Sequence, residues 1–313
     1  MPEWTKTPSR PVRINFLLFE QFSNLCLANC IEPLRAANTL TSVNAFDWRI
    51  VTLDGLACRS SSGIDILASV PLAQAPVADY LFVLASYAHE HHDTAVNRRL
   101  LQAAARRADT TVALDAGPWL LASAGLLNGR RATVHWDLLD AFTERFLEVE
   151  ASRARVIRDG AMITCAGAMS AMDLTLDLIA GHLGLSARLE VEALFLRGDP
   201  PVGEGNEAVE DPLVRRALAL MRDTVERPLP LVALARHLSC QPRTLDRHFR
   251  DRLGAPPGTV YRHLRLSAAR KLIEDSRLSV SEIALRCGYD SPAALTRAVR
   301  RAYGAPPTAL RRG

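Results

Sequence analysis

The sequence predicts an α/β domain with a parallel sheet, followed by a domain made only of helices. Over residues 12–197, short apolar runs typical of strands alternate with runs that have helical spacing. Residues 212–313 show helical spacing alone. Between the two stretches, residues 198–211 are rich in proline, glycine and acidic side chains, which predicts a linker. Residues 1–11 are expected to form an N-terminal tail.

The composition is ordinary for a soluble globular protein of 313 residues, with 48% hydrophobic and 23% charged residues. No apolar run reaches the roughly 18 residues that a membrane-spanning helix needs, and the first residues lack the features of a secretory signal. Six cysteines are scattered without the spacing of a metal site and are expected to be reduced thiols. We therefore expect a cytoplasmic protein with no metal, no cofactor and no membrane segment.

Each predicted strand of the first domain is an apolar run that leads into a turn or a helical run. The predicted strands are VRINFLLF (12–19), WRIVTL (48–53), YLFVLAS (80–86), TVALD (111–115) and MITCAG (162–167). The predicted helices cover residues 24–38, residues 97–108, the segment after Gly117 and residues 171–185. Strands that alternate with helices in this way pair in parallel, with helices on both faces of the sheet.

Parallel strands bring their carboxyl ends to one edge of the sheet, and ligands bind in the crevice outside that edge. This rule predicts a site formed by the residues that follow three of the strands. They are Phe22 and Ser23, Ser86 and Tyr87, and the turn Asp115-Ala116-Gly117.

The segment DAGPWLLASAGLL (115–127) has the form of a strand end, a tight turn and a helix. Several enzyme folds use such a turn to present a nucleophilic serine or cysteine to a cleft. Here the residue at the apex is Asp115, and its carboxylate is a poor nucleophile toward amides. The sequence therefore favours binding without catalysis at this turn, although Asp115 could still act as a base.

The run His89-Glu90-His91-His92 offers side chains that commonly bind metals. Consecutive residues point in different directions, however, and no cysteine lies close by in the sequence. An exposed polar loop is the favoured interpretation of this run.

The second domain contains an internal repeat. The segments LVALARHLSCQPRTLDRHFRDRLGAPP (231–257) and VSEIALRCGYDSPAALTRAVRRAYGAPP (280–307) share residues that recur 50 positions apart, and both end in GAPP. Each copy consists of a short helix, a polar turn and a second helix, which is the helix-turn-helix pattern. A helical segment over residues 258–276 joins them. Two such motifs on one chain could place their second helices in successive major grooves of DNA.

The charge is divided unevenly along the chain. Residues 1–210 contain 18 Lys and Arg against 25 Asp and Glu, whereas residues 211–313 contain 20 against 9. Nineteen of those 20 basic residues are Arg, which suits contacts with phosphates and base edges. Because cations that meet phosphates supply the sequence-independent part of DNA affinity, the repeat and the charge both indicate a DNA-binding domain.

Residues 212–312 resemble the AraC-type DNA-binding domain over its whole length, most closely at LSVSEIALRCGYDSPAALTRAVRRAYGAPPTALRR (278–312). This chain holds Leu295, Val299 and Tyr303 at positions where that family usually carries Phe. All three side chains are apolar in character, so the packing is expected to survive. The resemblance implies that the helix over residues 242–252 reads bases most strongly.

The outward side chains of the two second helices are the candidate DNA contacts. In the first motif they are Arg243, Thr244, Arg247, His248 and Arg250, and in the second they are Ala293, Ala294, Thr296, Arg297 and Arg300. Alanine offers no hydrogen bond to a base edge, although it can touch a thymine methyl group. The second motif is therefore expected to contribute more to phosphate contacts than to base discrimination.

The first domain resembles the PfpI-type branch of the class I glutamine amidotransferase-like proteins over about residues 12–185. Its markers are EPLRAAN (32–38) and DAGPWLLASAGLLNGRRATVHW (115–136). The resemblance implies a flavodoxin-like fold. In catalytic members a cysteine stands at the turn and a histidine follows downstream, and these positions hold Asp115 and His135 here. The histidine is kept and the nucleophile is absent.

A carboxylate beside aromatic faces suits an ammonium group, above all a quaternary one. Trp119, Trp136 and Tyr87 are candidates for these faces, with core packing as the alternative role of each tryptophan. Backbone N–H groups of the turn could hold a carboxylate on the same ligand. Glu32 either faces the ligand or pairs with Arg35.

The predicted effector is a betaine, carnitine or an amino acid. With these two domains and Asp at the turn, the chain resembles regulators that respond to quaternary amines and arginine-like compounds. The prediction for the whole chain is a ligand-responsive transcription regulator, an activator of catabolic genes, that binds double-stranded promoter DNA as a homodimer. As an activator it would contact RNA polymerase.

Two alternatives remain open from the sequence. One is an enzyme that uses Asp115 and His135 as an acid/base pair and is tethered to a DNA-binding domain. The other is a constitutive architectural DNA-binding protein, which would need no ligand.

Overall fold

The computed structural model describes residues 3–41, 44–195 and 211–311. These residues divide into two compact units. The α/β unit lies within residues 7–183, and the helical unit comprises residues 3–6, 184–195 and 211–311. The predicted linker falls outside the described residues except for Asp211.

The α/β unit is a sheet covered by helices. Its strands are β1 (Val12–Leu18), β2 (Phe46–Thr52), β3 (Cys58–Arg59), β4 (Asp65–Ile66), β5 (Val70–Pro71), β6 (Ala78–Ala85), β7 (Ala108–Asp115), β8 (Arg131–Ala132), β9 (Glu150–Ala151), β10 (Val156–Asp159) and β11 (Met162–Cys165). Its helices are α1 (Asn24–Thr41), α2 (His89–His92), α3 (Ala95–Ala105), α4 (Gly117–Ser123), α5 (Leu139–Arg145) and α6 (Ala168–Leu183). Single 3-10 turns cover Leu72–Gln74 and Trp136–Leu138.

Within the described residues, the main sheet has seven strands in the order β10-β11-β7-β6-β1-β2-β5. Its neighbours pair in parallel except for β10 and β11, which are antiparallel. Strands β3 with β4, and β8 with β9, form separate two-stranded sheets. The predicted fold class is confirmed, and the five predicted strands correspond to β1, β2, β6, β7 and β11.

The central strands are apolar along most of their length because helices cover both faces of the sheet. In β1 only Arg13 is exposed, and Phe16 packs on Phe82 of β6 with ring centroids 4.9 Å apart. The strands that sequence reasoning missed are mostly two residues long, and such short runs carry no periodicity.

The helical unit contains the two predicted helix-turn-helix motifs. Its helices are α7 (Leu185–Phe195), α8 (Pro212–Asp223), α9 (Leu231–His237), α10 (Pro242–Leu253), α11 (Pro257–Asp275), α12 (Val280–Arg286), α13 (Pro292–Tyr303) and α14 (Pro307–Leu310). Helices α9 and α10 form the first motif, α12 and α13 form the second, and α11 joins them. Gly254 and Gly304 end α10 and α13 in the left-handed conformation, with φ of 66° and 74°, which explains the glycine of each GAPP segment.

The second motif keeps a packed core despite its departures from the usual Phe positions. Leu295 and Val299 are fully buried beside Ile283 of α12. Tyr303 is partly buried, and the guanidinium carbon of Arg270 lies 4.9 Å from its ring centroid. No helix in the three described ranges has both the length and the apolar character needed to cross a bilayer.

Helix α7 belongs to the helical unit, whereas the sequence-based boundary assigned its residues to the first domain. Leu185, Leu189 and Val191 are buried, and α7 packs against α11. These contacts place the boundary between the compact units at Leu183 and Gly184. Apolar spacing identifies α7 as a helix with a buried face but does not specify which neighbour buries that face.

Candidate functional site

Asp115 lies at a strained turn at the carboxyl edge of the sheet. Its φ is 61°, in the left-handed region, and it stands between β7 and α4. Gln21 and Ala88, which follow the neighbouring strands β1 and β6, also have positive φ, at 65° and 55°. Backbone strain of this kind is concentrated at functional sites, and here it marks the carboxyl ends of three adjacent strands.

Gly117 allows α4 to approach β6 closely. A Cβ atom added at Gly117 would lie 2.4 Å from the carbonyl oxygen of Val83, which is backbone and cannot rotate away. The absence of a side chain at this position therefore fixes the direction in which the chain leaves Asp115.

Gly117→Ala is expected to lower the free energy of unfolding by about 1–3 kcal/mol, because the added methyl group pushes α4 away from the sheet. Urea unfolding of the full chain measures this change. Gly181→Ala in α6 is the matched control, since a Cβ there meets nothing within 4 Å. Equal stability of Gly117→Ala and the wild type would contradict this account of the turn.

The carboxyl group of Asp115 is half-buried, and this burial raises its pKa above the ordinary value. The pKa is lowered by a hydrogen bond with Ser86 and by the nearby imidazoles of His135 and His89, but these effects do not cancel that of burial. Asp115 therefore carries its negative charge at a cost in solvation. A cation placed beside it would favour the ionised form.

His135 is brought to the turn by the backbone. Its N–H group donates to the carbonyl oxygen of Asp115 at 3.0 Å, and its Nδ1 atom accepts from the N–H group of Asp137 at 3.4 Å. Because Nδ1 accepts, the neutral ring carries its proton on Nε2. A Cβ added at Gly167 would lie 3.5 Å from Cδ2 of the imidazole, so Gly167 lies beside the edge of the ring.

His89 is a buried neighbour of Asp115 that sequence reasoning missed. The predicted exposed loop over residues 89–92 is the one-turn helix α2, and Nδ1 of His89 donates to the carbonyl oxygen of Ser86 at 3.2 Å. Burial lowers the pKa of His89, which favours the neutral imidazole. Within the described residues, no group of three His, Cys, Asp or Glu side chains is arranged to hold a metal ion.

Trp119 lies in the core and does not present a face to a ligand, which corrects the prediction for this residue. Its side chain is 5% exposed, and its ring packs against His89, Phe142 and Phe146 with centroids 5.0, 6.1 and 5.2 Å away. Core packing, the alternative role considered for Trp119, is the one that the structure has. The turn of α4 directs this ring toward α5.

Tyr87 and Trp136 are the exposed aromatic residues that follow β6 and His135. They are 70% and 76% exposed, and the Trp136 ring lies 5.4 Å from that of His135. Phe22, by contrast, is fully buried and offers no surface to a ligand, so its predicted role is wrong. A strand end predicts that a residue lies near the edge of the sheet but not whether its side chain faces the crevice or the core.

The backbone of the turn offers few donors to an anion, contrary to the expectation for Ala116. The N–H group of Ala116 donates to the carbonyl oxygen of Ala85 at 2.9 Å, and that of Trp119 donates to Ala116 at 3.0 Å. Pro118 has no N–H group. The N–H groups of Ala116 and Trp119 are therefore used within the protein and are not available to the carboxylate of a zwitterion.

Ser23 and Glu32 make local contacts on α1. The Oγ atom of Ser23 accepts from the N–H group of Cys26 at 3.3 Å, in the first turn of the helix. Glu32 pairs with Arg35 at 2.8 Å, and both side chains are about half exposed. Of the two roles considered for Glu32, the structure has the pairing with Arg35.

The thiols near the turn are buried. Burial raises the pKa of Cys26, Cys30 and Cys165, in the last case to about 12, and the charge of Asp115 adds to the effect at Cys26 and Cys165. Such groups remain protonated at neutral pH, and the protonated thiol is not the nucleophilic form. These cysteines do not replace the nucleophile that is absent from the turn.

In the first helix-turn-helix, Arg243 and Arg247 are exposed on α10, whereas Thr244 is partly covered. The two arginines help to line a shallow cavity of about 420 Å³ next to the start of α9. Arg250 is also exposed, but its Nε atom donates to Asp246 at 2.7 Å. Arg243 and Arg247 are therefore exposed cationic groups on the surface of α10.

His248 is engaged within the helical unit, which corrects the expectation that it faces DNA. Its Nδ1 atom lies 2.5 Å from Oδ2 of Asp211, which caps α8 by accepting from the N–H groups of Leu213 and Val214. Burial raises the pKa of Asp211, but these hydrogen bonds outweigh it and hold the pKa below the ordinary value. His248 therefore ties α10 to α8.

In the second motif, the candidate contacts form a less polar surface. Ala293, Arg297 and Arg300 are exposed on α13, and Ala294 is partly covered. The hydroxyl group of Thr296 donates to the carbonyl oxygen of Pro292 at 2.9 Å, so its hydrogen is used within the helix.

Comparison with known proteins agrees with both halves of the chain. Residues 12–181 match the model of the DJ-1/PfpI family, and residues 234–313 match a helix-turn-helix domain. The HTH-type transcriptional regulator CdhR of Pseudomonas aeruginosa is 32% identical over 94% of this chain and 89% of its own length. An isonitrile hydratase of Pseudomonas putida is 30% identical over 69% of this chain and 96% of its own length.

A solved structure supports the same assignment. The crystal structure of an AraC family transcriptional regulator from Pseudomonas putida has a TM-score of 0.52 and 25% identity, and it covers 59% of this chain and 99% of the other. The chain thus joins a flavodoxin-like domain to a DNA-binding helical domain, and full-length similarity extends to a named regulator. The chain belongs to the DJ-1/PfpI family and, within it, to the transcription regulators that carry an AraC-type helix-turn-helix domain.

Proposed function

We propose that this regulator binds a small cationic effector at Asp115, without converting it, and passes its occupancy to promoter DNA. The observation that carries the proposal is the carboxyl group at the apex of the strained turn, where φ of Asp115 is 61°. The strained backbone presents the Asp115 side chain at the edge of the sheet. A cation would stabilise the half-buried negative charge of this carboxylate.

The surroundings of Asp115 favour an organic ammonium group. Tyr87 and Trp136 expose aromatic faces on the segments that carry Ser86 and His135, and such faces attract cations, above all weakly hydrated quaternary ones. The N–H groups of Ala116 and Trp119 are used internally and do not serve a bound anion. The positive end of a betaine, carnitine or arginine-like compound therefore contributes most of the recognition in this proposal.

The absence of turnover follows from the chemistry of the groups around the turn. A carboxylate does not carry out the thiolate reactions of a cysteine at this position. Cys26 and Cys165 have raised pKa values because they are buried, so neither supplies a thiolate. Binding without conversion is the role that these side chains support best.

A thermal-shift screen of the full chain tests this proposal. Glycine betaine, carnitine and arginine are compared with uncharged and anionic compounds of similar size. Stabilisation by a cationic compound that is recovered unchanged after long incubation supports a sensor. Stabilisation by anions alone, or consumption of the bound compound, would contradict the proposal.

The affinity for a cationic effector is expected to fall as the pH falls. The fall should begin at a pH above the ordinary pKa of an aspartate. The cation binds the ionised carboxylate, and burial has raised the pKa of Asp115 in the free protein. Below that pKa, each further pH unit costs about tenfold in affinity.

Calorimetric titrations between about pH 4 and pH 8 measure this dependence. Asp115→Asn should remove the part that is due to the carboxyl group. An affinity that stays constant down to the acidic limit would show that Asp115 does not contact the cation.

A second candidate function is an acid/base enzyme tethered to DNA. The specific observations in its favour are the similarity to an isonitrile hydratase over most of that protein and the raised pKa of Asp115 beside two imidazoles. Turnover of an isonitrile that Asp115→Asn abolishes would support the enzyme. Loss of effector response with unchanged DNA binding would support the sensor.

We further propose that the regulator acts as a homodimer on double-stranded promoter DNA, activates catabolic genes and engages RNA polymerase. Two helix-turn-helix motifs per chain suit operators with repeated half-sites. Sedimentation of the protein with a selected duplex, followed by transcription in a purified system, tests both parts. One chain per operator, or repression at every promoter tested, would argue against them.

A further inference from the structure

Two short segments that flank the α/β unit in the sequence belong to the helical unit. Residues 3–6 directly precede the first residue of the α/β unit, and Gly184 directly follows its last. Helix α7 begins at the next residue and lies outside the ranges that match the two family models, residues 12–181 and 234–313. The chain therefore enters and leaves the α/β unit through parts of the helical unit.

The incoming and outgoing segments are fastened to each other by their backbones. The N–H groups of Leu185 and Ser186 donate to the carbonyl oxygens of Glu3 and Trp4 at 3.2 and 2.9 Å. Gly184 has a φ of 89°, and an added Cβ atom would lie 2.7 Å from the carbonyl oxygen of Trp4. Only glycine combines this conformation with so close an approach. Movement of one segment therefore displaces the other.

Both segments meet His263 on α11. Nε2 of His263 lies 3.0 Å from Oε1 of Glu190, and the two side chains are 19% and 11% exposed. Nε2 is buried, and among the described residues it has no aligned hydrogen bond, so the Glu190 carboxylate is the acidic group that approaches it. The Trp4 ring packs edge-on against the imidazole at a centroid distance of 5.2 Å. We refer to Trp4, Glu190 and His263 as the His263 cluster.

The position of His263 connects this cluster to both DNA-binding motifs. Helix α11 joins the first motif to the second, so its placement sets how far apart α10 and α13 are held. Arg270, two turns further along α11, lies over the ring of Tyr303 at the end of α13. Burial raises the pKa of Tyr303, and the charge of Glu190 adds to this effect, which places the carboxylate within electrostatic range of the second motif.

We propose that the His263 cluster is the coupling contact that links effector occupancy at the Asp115 site to the arrangement of the two helix-turn-helix motifs. The inference rests on the proposed function for what it transmits. The contact itself rests on Glu190, Trp4 and the chain path through Gly184. A change in the α/β unit that shifts either segment would alter the contacts that Glu190 and Trp4 make with His263 on α11. Because such coupling is reciprocal, DNA that fixes the position of α11 would in turn shift the equilibrium between states of the α/β unit.

Hydrogen exchange of the full chain tests the coupling without any effector. The probe is a DNA duplex that the wild-type protein has selected from random sequence. In the wild type, adding this duplex is expected to change exchange in α7 and in the peptides that contain Ser86 and Asp115 by about fivefold or more. In Glu190→Gln and in His263→Gln, the change at Ser86 and Asp115 should be lost although the duplex still binds.

Glu274→Gln is the matched control, because Glu274 pairs with Arg270 on the same helix at 2.7 Å but lies outside the cluster. It should keep the wild-type response. The swapped pair Glu190→His with His263→Glu should restore the response, and it decides the matter if a single variant proves too unstable to study.

Two results would overturn the coupling: no duplex-dependent change in the wild-type α/β unit, or a full response in both Gln variants. Failure of the proposed effector site is seen separately, as the absence of stabilisation by glycine betaine, carnitine or arginine. That failure leaves the duplex-dependent response intact.

Discussion

Asp115→Asn is expected to lower the affinity for a cationic effector by about 30-fold or more, which corresponds to a loss of about 2 kcal/mol. The amide removes the negative charge but keeps the size of the side chain. Asparagine also tolerates the left-handed backbone that Asp115 adopts at φ 61°, so the turn should persist. Calorimetric titration of the full chain with the stabilising cation measures the loss.

Glu32→Gln is the matched control for Asp115→Asn. Glu32 is half exposed and pairs with Arg35, so neutralising it should leave effector affinity unchanged. Operator affinity without effector should be the same for both variants and the wild type. If Asp115→Asn binds the cation as tightly as the wild type, the effector site lies elsewhere in the chain.

Arg247→Ala is expected to weaken binding to a selected operator by about 1–3 kcal/mol and to relax sequence preference at one position. Arg247 is exposed on α10 beside Arg243, and a bidentate arginine contact discriminates between bases by an amount of this size. Titrations of the operator and of single-base variants, at one fixed salt concentration, measure both effects.

Arg297→Ala provides the comparison, because Arg297 occupies the position in α13 that Arg247 occupies in α10. Its neighbours there include Ala293 and Ala294, which cannot hydrogen-bond to bases. Its loss should weaken binding to all duplexes equally and reduce the salt dependence. Equal losses on every sequence for Arg247→Ala as well would make that residue a phosphate contact only.

Local patterns in the sequence were sufficient for the fold class and for the repeat. Alternation of apolar runs with helical ones predicted the parallel sheet, because each such run must bury one face or both. Recurrence over 50 residues predicted the two helix-turn-helix motifs, since each copy carries its own turn and its own helix end. The uneven division of charge and the aspartate at the turn are also visible in the sequence alone.

The roles of individual side chains depended on contacts between distant residues. Trp119 and Trp136 looked equivalent in the sequence, yet the first packs against Phe142 and Phe146 and the second is exposed. His89 looked like part of a polar loop and is buried. His248 had the spacing of an outward-facing residue, but Asp211, which binds it, lies 37 positions earlier in the chain.

The sequence by itself determined which segments form strands and helices, where the chain turns and where its charge lies. Each of these is set by residues within one or two turns of one another. Only the tertiary structure decided that Glu190 and Trp4 meet His263, that Ala116 uses its N–H group internally and that α7 belongs with the DNA-binding helices. Periodicity specifies that a face is apolar, whereas the neighbour that covers it is chosen by packing of the whole chain.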